Sequence, residues 1–371
     1  MAEIARARSS YAVLAGVAAI ILMLGAVSVP AAAEDAKAAS SPSVEEVRHM
    51  QDPVKVPMEV AYQPAWLTWV AATTGCLKAL GVACDTVDVA GYSGYAFVMS
   101  VHEKLCPSGP TVFDWGLLSS GVARLGRSTV SFHGGKCGGS DQDFRAAHEL
   151  VRREIEAGRP CVLWGAYVPE FAIAVGVEGN SYLVKSFKPF VGDPEPPIPL
   201  DQLQVPGGTY VLAFPASVEV ARADADRQAV FHALEMLSYE VGNPLYANGL
   251  AAYDQWIAAL AVGDLPAHGN SYNAQCWAEA KRCAHQFLAR LAERNPAVSE
   301  QLGRAARAYG EAAEAMGVVA GIFPFPDADN KVSDPDVRAK AVPALRAAKA
   351  AEARAASALA EAAATWPESS S

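Results

Sequence analysis

Two histidine–cysteine pairs, His102-x3-Cys106 and His133-x3-Cys137, repeat one spacing, and brought together they would make a tetrahedral zinc site. Neither pair lies in a clear ligand-presenting frame, and loop cysteines equally suit disulfides, so the sequence implies no metal and no cofactor. The run from Gly91 to Trp115 reads Gly-Tyr-Ser-Gly-Tyr-Ala-Phe, then Cys-Pro-Ser-Gly-Pro-Thr, then Phe-Asp-Trp. A loop this long and aromatic covers a pocket or is functional itself, and it offers Tyr95, His102, Asp114 and Trp115 as ligand contacts. Cys106 within it is a candidate nucleophile, but such a cysteine needs a base or a helix N-terminus to hold it as thiolate. No such partner stands beside it in sequence. Glu170 immediately precedes Phe-Ala-Ile-Ala-Val-Gly-Val, at the head of an expected central strand. There a carboxylate is either an acid/base of raised pKa or a solvated strand end. Tyr272, Asn273 and Gln275 open an expected helix and cap it, and Tyr272 is also a candidate ligand contact. Trp69, Trp115, Trp164 and Trp277 either line a cleft or pack in the core. The chain lacks G-x-S-x-G, H-E-x-x-H, C-x-x-C and a phosphate-cradling glycine loop.

The elements that must position these residues are legible from periodicity and breakers. Helical spacing of Trp66, Val70, Cys76, Leu77 and Leu80 predicts a helix over Pro64–Leu80, stopped by Gly81. A loop region follows, then a short helix over Asp114–Leu125 and a strand over Ser128–Phe132. Asp143–Ala157 reads as an amphipathic helix ending at Gly158. Strands are expected at Cys161–Ala166, Phe171–Val177 and Tyr182–Ser186, the last two joined by the hairpin signal Glu178-Gly179-Asn180-Ser181. A proline-rich loop over 189–206 leads to a last strand, Tyr210–Phe214. Helices early and strands late argue α+β with an antiparallel sheet, not a doubly wound parallel one. Beyond residue 217 the chain reads as entirely helical. Asp224 caps the first helix, others span about 249–262, 270–294 and 299–316, and a last one from Asp334-Pro335 is interrupted by Pro343.

In all, 371 residues with 51% hydrophobic and 19% charged content can bury a sizeable core. A net charge of −10 argues against a general nucleic-acid binder. Arg6 and Arg8, the uncharged stretch Tyr11–Val29 and the small residues Ala31–Ala33 form an export signal with cleavage after Ala33. An uncleaved membrane anchor is the alternative. The expected organisation is a signal peptide over 1–33, a tether over 34–58, an α+β domain over 59–216 and a helical domain over 217–366. Seven cysteines in an exported chain leave at least one unpaired. Cys161, Cys276 and Cys283 are expected buried and unpaired, and any disulfide should come from Cys84, Cys106 and Cys137.

"Trp-Leu-Thr…Leu-Lys-Ala-Leu-Gly" followed by "Gly-Tyr-Ser-Gly-Tyr-Ala-Phe", and "Pro-Glu-Phe-Ala-Ile-Ala-Val-Gly-Val" followed by a hairpin, resemble the papain-like fold of the double-glycine leader peptidases. More closely they resemble the N-terminal domain of the butirosin biosynthesis protein H family. "Gly-Leu-Ala-Ala-Tyr-Asp-Gln-Trp" and "Ala-Glu-Ala-Lys-Arg-Cys-Ala-His-Gln-Phe-Leu" are similar to the helical domain that accompanies it. The resemblance covers about residues 60–295. It implies a papain-like cleft between the N-terminus of the first helix and the head of a central strand. The peptidase cysteine position falls at Leu67, beside Thr68, and the histidine position at Glu170. Both catalytic groups are therefore missing, and triad logic requires both.

Two functional readings follow. The favoured one is a non-catalytic cleft that holds a peptide or small molecule, with Trp69, Tyr95, His102, Asp114, Trp115 and Tyr272 as contacts. The alternative is a rewired hydrolase or acyltransferase using Cys106 or Thr68 with Glu170.

Overall fold

The computed structural model describes residues 53–134, 140–206 and 208–367. The stretch read as an export signal, most of that read as a tether, and Cys137 lie outside the described residues. The strands are β1 (Val54–Lys55), β2 (Ser100–His102), β3 (Val130–Gly134), β4 (Cys161–Trp164), β5 (Phe171–Glu178), β6 (Ser181–Lys185), β7 (Ile198–Pro199), β8 (Thr209–Ala213) and β9 (Tyr246–Asn248). The α-helices are α1 (Thr68–Ala79), α2 (Thr86–Tyr92), α3 (Trp115–Val122), α4 (Asp141–Glu156), α5 (Arg222–Leu237), α6 (Leu250–Val262), α7 (Ala267–Arg294), α8 (Ser299–Ile322) and α9 (Pro335–Thr365). The protein is α+β, with an antiparallel sheet in the first half and a helical second half, as the order of elements predicts.

The sheet runs β3-β8-β4-β5-β6-β7, with β1 also paired to β5. All its pairings are antiparallel. Every residue of β4 is buried. Because side chains alternate across a strand, the sheet is covered on both faces there, by α1 and α4. Gly75 permits the closest approach of α1: a Cβ at that position would lie 2.5 Å from the Ile173 side chain of β5 and 2.6 Å from the Ala61 carbonyl. One continuous hydrophobic core joins the sheet, α1 and α2 to α7, α8 and α9. No described helix is long and apolar enough to cross a membrane.

Several elements depart from the sequence reading. Val54–Lys55, inside the span read as a tether, pairs with Val177 and Gly176 of β5. The first helix begins at Thr68 and not Pro64, which leaves Trp66 and Leu67 as its lead-in. The expected loop after Gly81 contains α2, opened by a reciprocal Asp85–Asp88 capping box. It also contains β2, which pairs with β9 from the half read as wholly helical. That two-stranded sheet is stabilised by a partner almost 150 residues away, so local pattern does not reveal it.

Asp224 is not a cap. The N-cap of α5 is Ala221, and Asp224 lies in the first turn. Tyr272, Asn273 and Gln275 do not cap α7 either, because it starts at Ala267. Pro343 does not interrupt α9. The stripe Ala341, Leu345, Ala348, Ala355 and Leu359 is buried, and packing against α8 offsets the one hydrogen bond that proline removes.

Candidate site at the head of strand β5

Glu170 is delivered by the turn between β4 and β5, whose last ladder pair is Trp164 with Phe171. Gly165 N–H donates to the Glu170 carbonyl at 2.9 Å, and Glu170 N–H to the Val168 carbonyl at 2.7 Å. Gly165 has φ +86°, and a Cβ there would lie 2.4 Å from the Gln204 carbonyl oxygen. Only glycine fits both demands. Tyr167 holds φ +69°, a left-handed conformation uncommon for a bulky residue. It is pinned at both ends: the Gln204 amide donates to its carbonyl at 2.6 Å, and its hydroxyl donates to the Pro196 carbonyl at 2.5 Å. The turn is therefore fixed, and with it the carboxylate.

Thr68 is the first residue of α1. Its hydroxyl donates to Glu170 Oε2 at 2.5 Å and accepts from Phe171 N–H at 3.2 Å. The other carboxylate oxygen, Oε1, accepts from the Tyr272 hydroxyl of α7, also at 2.5 Å. Three elements distant in sequence thus meet on one carboxyl group. Burial pushes the Glu170 pKa up to about 7, against the two hydroxyl donors, which favour the ionised form. Glu170 is half-buried as a residue, but the carboxyl is its inward part.

Helix α7 presents Tyr272, Cys276 and Glu279 at i, i+4 and i+7, one face of the helix. The Cys276 thiol points to the Trp66 carbonyl at 3.7 Å, and Glu279 Oε2 accepts from Leu67 N–H at 2.9 Å. Burial first, and then Glu170, push the Cys276 thiol well up, so it is held protonated. Beside this stripe Phe325 packs edge-on against Trp66 at 5.4 Å and against Tyr272 at 5.9 Å. Trp66 is half-buried and marks the solvent side of the cluster.

Of the residues singled out in sequence, the structure brings Glu170, Thr68 and Tyr272 together. Cys106 belongs elsewhere: its thiol accepts from the Ser108 hydroxyl at 3.0 Å, and Ser108 pairs with the Tyr246 hydroxyl at 2.7 Å. Among the described residues no hydrogen bond joins Cys106 to Glu170 or Thr68, so the Cys106–Glu170 pair is not formed. His102 lies edge-on to Tyr246 at 5.0 Å, and its Nδ1 accepts from Lys104 N–H at 3.0 Å. Asp114 is an exposed N-cap of α3, bonded to Gly116 N–H at 2.8 Å.

Trp69, Tyr95 and Trp115 are core residues, at most 4% exposed. Trp69 donates to the Tyr210 hydroxyl at 3.4 Å, and Tyr95 donates to the Pro110 carbonyl. Trp115 packs between His133, Trp164, Phe171 and Tyr210. Among the described residues no group of three or more His, Cys, Asp or Glu could hold a metal ion, and Cys137 lies outside them. All six described cysteines are free, with Cys76, Cys161, Cys276 and Cys283 buried.

Cys276 and Glu279 are the site residues that sequence reasoning missed. The available signal was a carboxylate placed two helical turns from Tyr272 on the apolar face of α7. Two surface grooves lie away from this site, one lined by Phe144, Leu200, Leu203 and Val205, the other by Arg227, Arg294 and Trp366. In the second, Arg294 is already bound to Asp226 and the Tyr92 hydroxyl, so the Glu170 carboxyl, with its raised pKa, is the stronger candidate on chemical grounds. Comparison of the chain with protein-family models and with curated proteins finds no match to either.

Proposed function

We propose that this is an exported, papain-like protein whose cleft, between the N-terminus of α1 and the head of β5, binds a peptide or small molecule without catalysis. The observation that carries this reading is the Glu170 carboxylate, gripped on both oxygens by Thr68 and Tyr272. Each oxygen of an ionised carboxylate has a second acceptor position left after one hydrogen bond. The recognised group is therefore a hydrogen-bond donor, such as an amide or amine N–H, reaching Glu170 past Trp66. Absence of chemistry follows from the nucleophiles. Cys276, the thiol on the same stripe, is held protonated, and the Thr68 oxygen already makes two hydrogen bonds in a residue that is 9% exposed.

One observation favours the alternative, a hydrolase or acyltransferase with Thr68 as nucleophile. A hydroxyl 2.5 Å from a carboxyl of pKa about 7 is the geometry of a general base near its working range. The test is mass spectrometry of peptides and small molecules co-purifying with the protein and with Glu170→Gln. A species retained by the wild type and lost from the variant supports binding. Identical profiles would remove the reading, and recovery of a covalent Thr68 adduct would replace it with the enzyme.

A further inference from the structure

Helix α1 needs help at its start. Its N-cap is Leu67, whose side chain has no acceptor, and no side-chain cap bond is made within the helix. The first N–H groups of a helix have no partner inside it, and Thr68, Trp69 and Val70 are all buried, at 9%, 0% and 1% exposure. The lead-in is held from outside: Glu279 of α7 accepts from Leu67 N–H at 2.9 Å. Glu279 is itself 7% exposed, and its other oxygen meets Arg282 at 3.0 Å. A carboxylate buried in this way is costly, so its place at a helix N-terminus, where negative charge is favoured, calls for an explanation.

We infer that Glu279 is a positioning residue for the Glu170 site: by capping α1 from α7 it sets the Thr68–Glu170 contact. This rests on the reading of Glu170 and Thr68 as the cleft's working groups. The mechanical route is short. Leu67 is bonded to Glu279, and the next residue, Thr68, bonds both Glu170 and Phe171 N–H. The same α7 face carries Tyr272, which holds the opposite oxygen of Glu170. Fixing the start of α1 against α7 therefore fixes both donors on the carboxylate at once.

The sign of the consequence separates positioning from simple electrostatics. The Thr68 and Tyr272 bonds lower the Glu170 pKa, so loosening them raises it. Removing a nearby negative charge through space would instead lower it.

The experiment follows the ionisation of Glu170 by infrared or carbon-13 NMR titration of the purified protein, with Glu170→Gln identifying the signal. Glu279→Leu should move the midpoint upward by about half a pH unit or more, whereas Glu279→Gln, which keeps an acceptor for the Leu67 N–H, should stay close to wild type. Glu279→Asp, one methylene short, should also move it upward, and it decides the matter if the leucine variant does not fold. An unmoved midpoint in a folded leucine or aspartate variant would leave Glu279 a purely structural cap. A downward shift in both Leu and Gln variants would show a charge effect alone. A wild-type midpoint at the ordinary glutamate value would overturn the reading of the site itself, which is a different failure.

Discussion

Thr68 and Glu170 stand 102 residues apart in sequence, yet the threonine hydroxyl lies 2.5 Å from the carboxylate, at the point where α1 begins and β5 is about to begin. The neighbouring Phe171 N–H bonds the same hydroxyl, so the start of the strand and the start of the helix are fastened by one oxygen. A buried hydrogen-bonded group of this kind is expensive to leave incomplete, which makes its perturbation easy to read.

The first expectation is a pH dependence of stability centred on Glu170. Its folded pKa, about 7, lies above the ordinary value of 4.5, because burial disfavours the charge. The unfolded chain therefore releases this proton first. The stability contributed by the group is full below pH 4.5 and is lost as pH rises towards and through 7, at up to about 1 kcal/mol per pH unit. Glu170→Gln cannot titrate. Chemical denaturation of both proteins from pH 4 to pH 9 should show the wild-type stability falling relative to the variant across that window and parallel to it above. A constant difference at all pH values would contradict the raised pKa.

Tyr272→Phe removes one donor from Glu170 while keeping the ring against Phe325 and His268. Loss of a hydrogen bond to a charged acceptor costs about 1.5–3 kcal/mol, and less when the acceptor is neutral. Unfolding should therefore show a larger penalty at pH 8.5 than at pH 5. An equal penalty at both would mean that the tyrosine hydroxyl does not serve the ionised form.

In the helical half, Lys281 and Glu352 form a salt bridge at 2.5 Å with neither side chain exposed. Tyr253 and Tyr309 also donate to Glu352, at 2.6 and 3.2 Å. Removing one partner strands the other, so Lys281→Met should destabilise by about 3–5 kcal/mol. The double variant Lys281→Met, Glu352→Leu should cost less than the sum of the two single changes. A double-mutant cycle in urea measures this, and simple additivity would show the pair to be uncoupled.

Gly165→Ala should damage both stability and the site. The new Cβ would sit at φ +86° and 2.4 Å from the Gln204 oxygen, so the turn must move. A loss of more than about 1 kcal/mol is expected from the backbone conformation alone. Because Gly165 N–H holds the Glu170 carbonyl, the Glu170 titration midpoint should shift as well. A variant with lower stability and an unmoved midpoint would separate the turn from the site.

Much of this was written in local pattern. The hairpin of β5 and β6 and the glycine after α1 depend on turn and capping chemistry within a few residues. Glu170 stood out because a charged residue at the head of an apolar run is conspicuous in sequence. Cys161, Cys276 and Cys283, expected in the core on spacing and neighbours, are buried and free. Glu279 passed unnoticed, since a glutamate on a long helix ordinarily faces water, and nothing local says that this one meets the N-terminus of α1.

What the sequence by itself determined, then, is the α+β order and the elements whose causes are short-range: helical and strand periodicity, hairpin turns, stopping glycines. The tertiary structure alone decided which chemistry-bearing groups meet. It moved Trp69, Tyr95 and Trp115 from cleft to core, set Cys106 with Ser108 and Tyr246, and brought Tyr272, Cys276 and Glu279 onto the start of α1. The physical reason is range. A cap or a turn is stabilised by atoms a few residues away, whereas a carboxylate shared by α1, β5 and α7 is stabilised only once the core has docked all three.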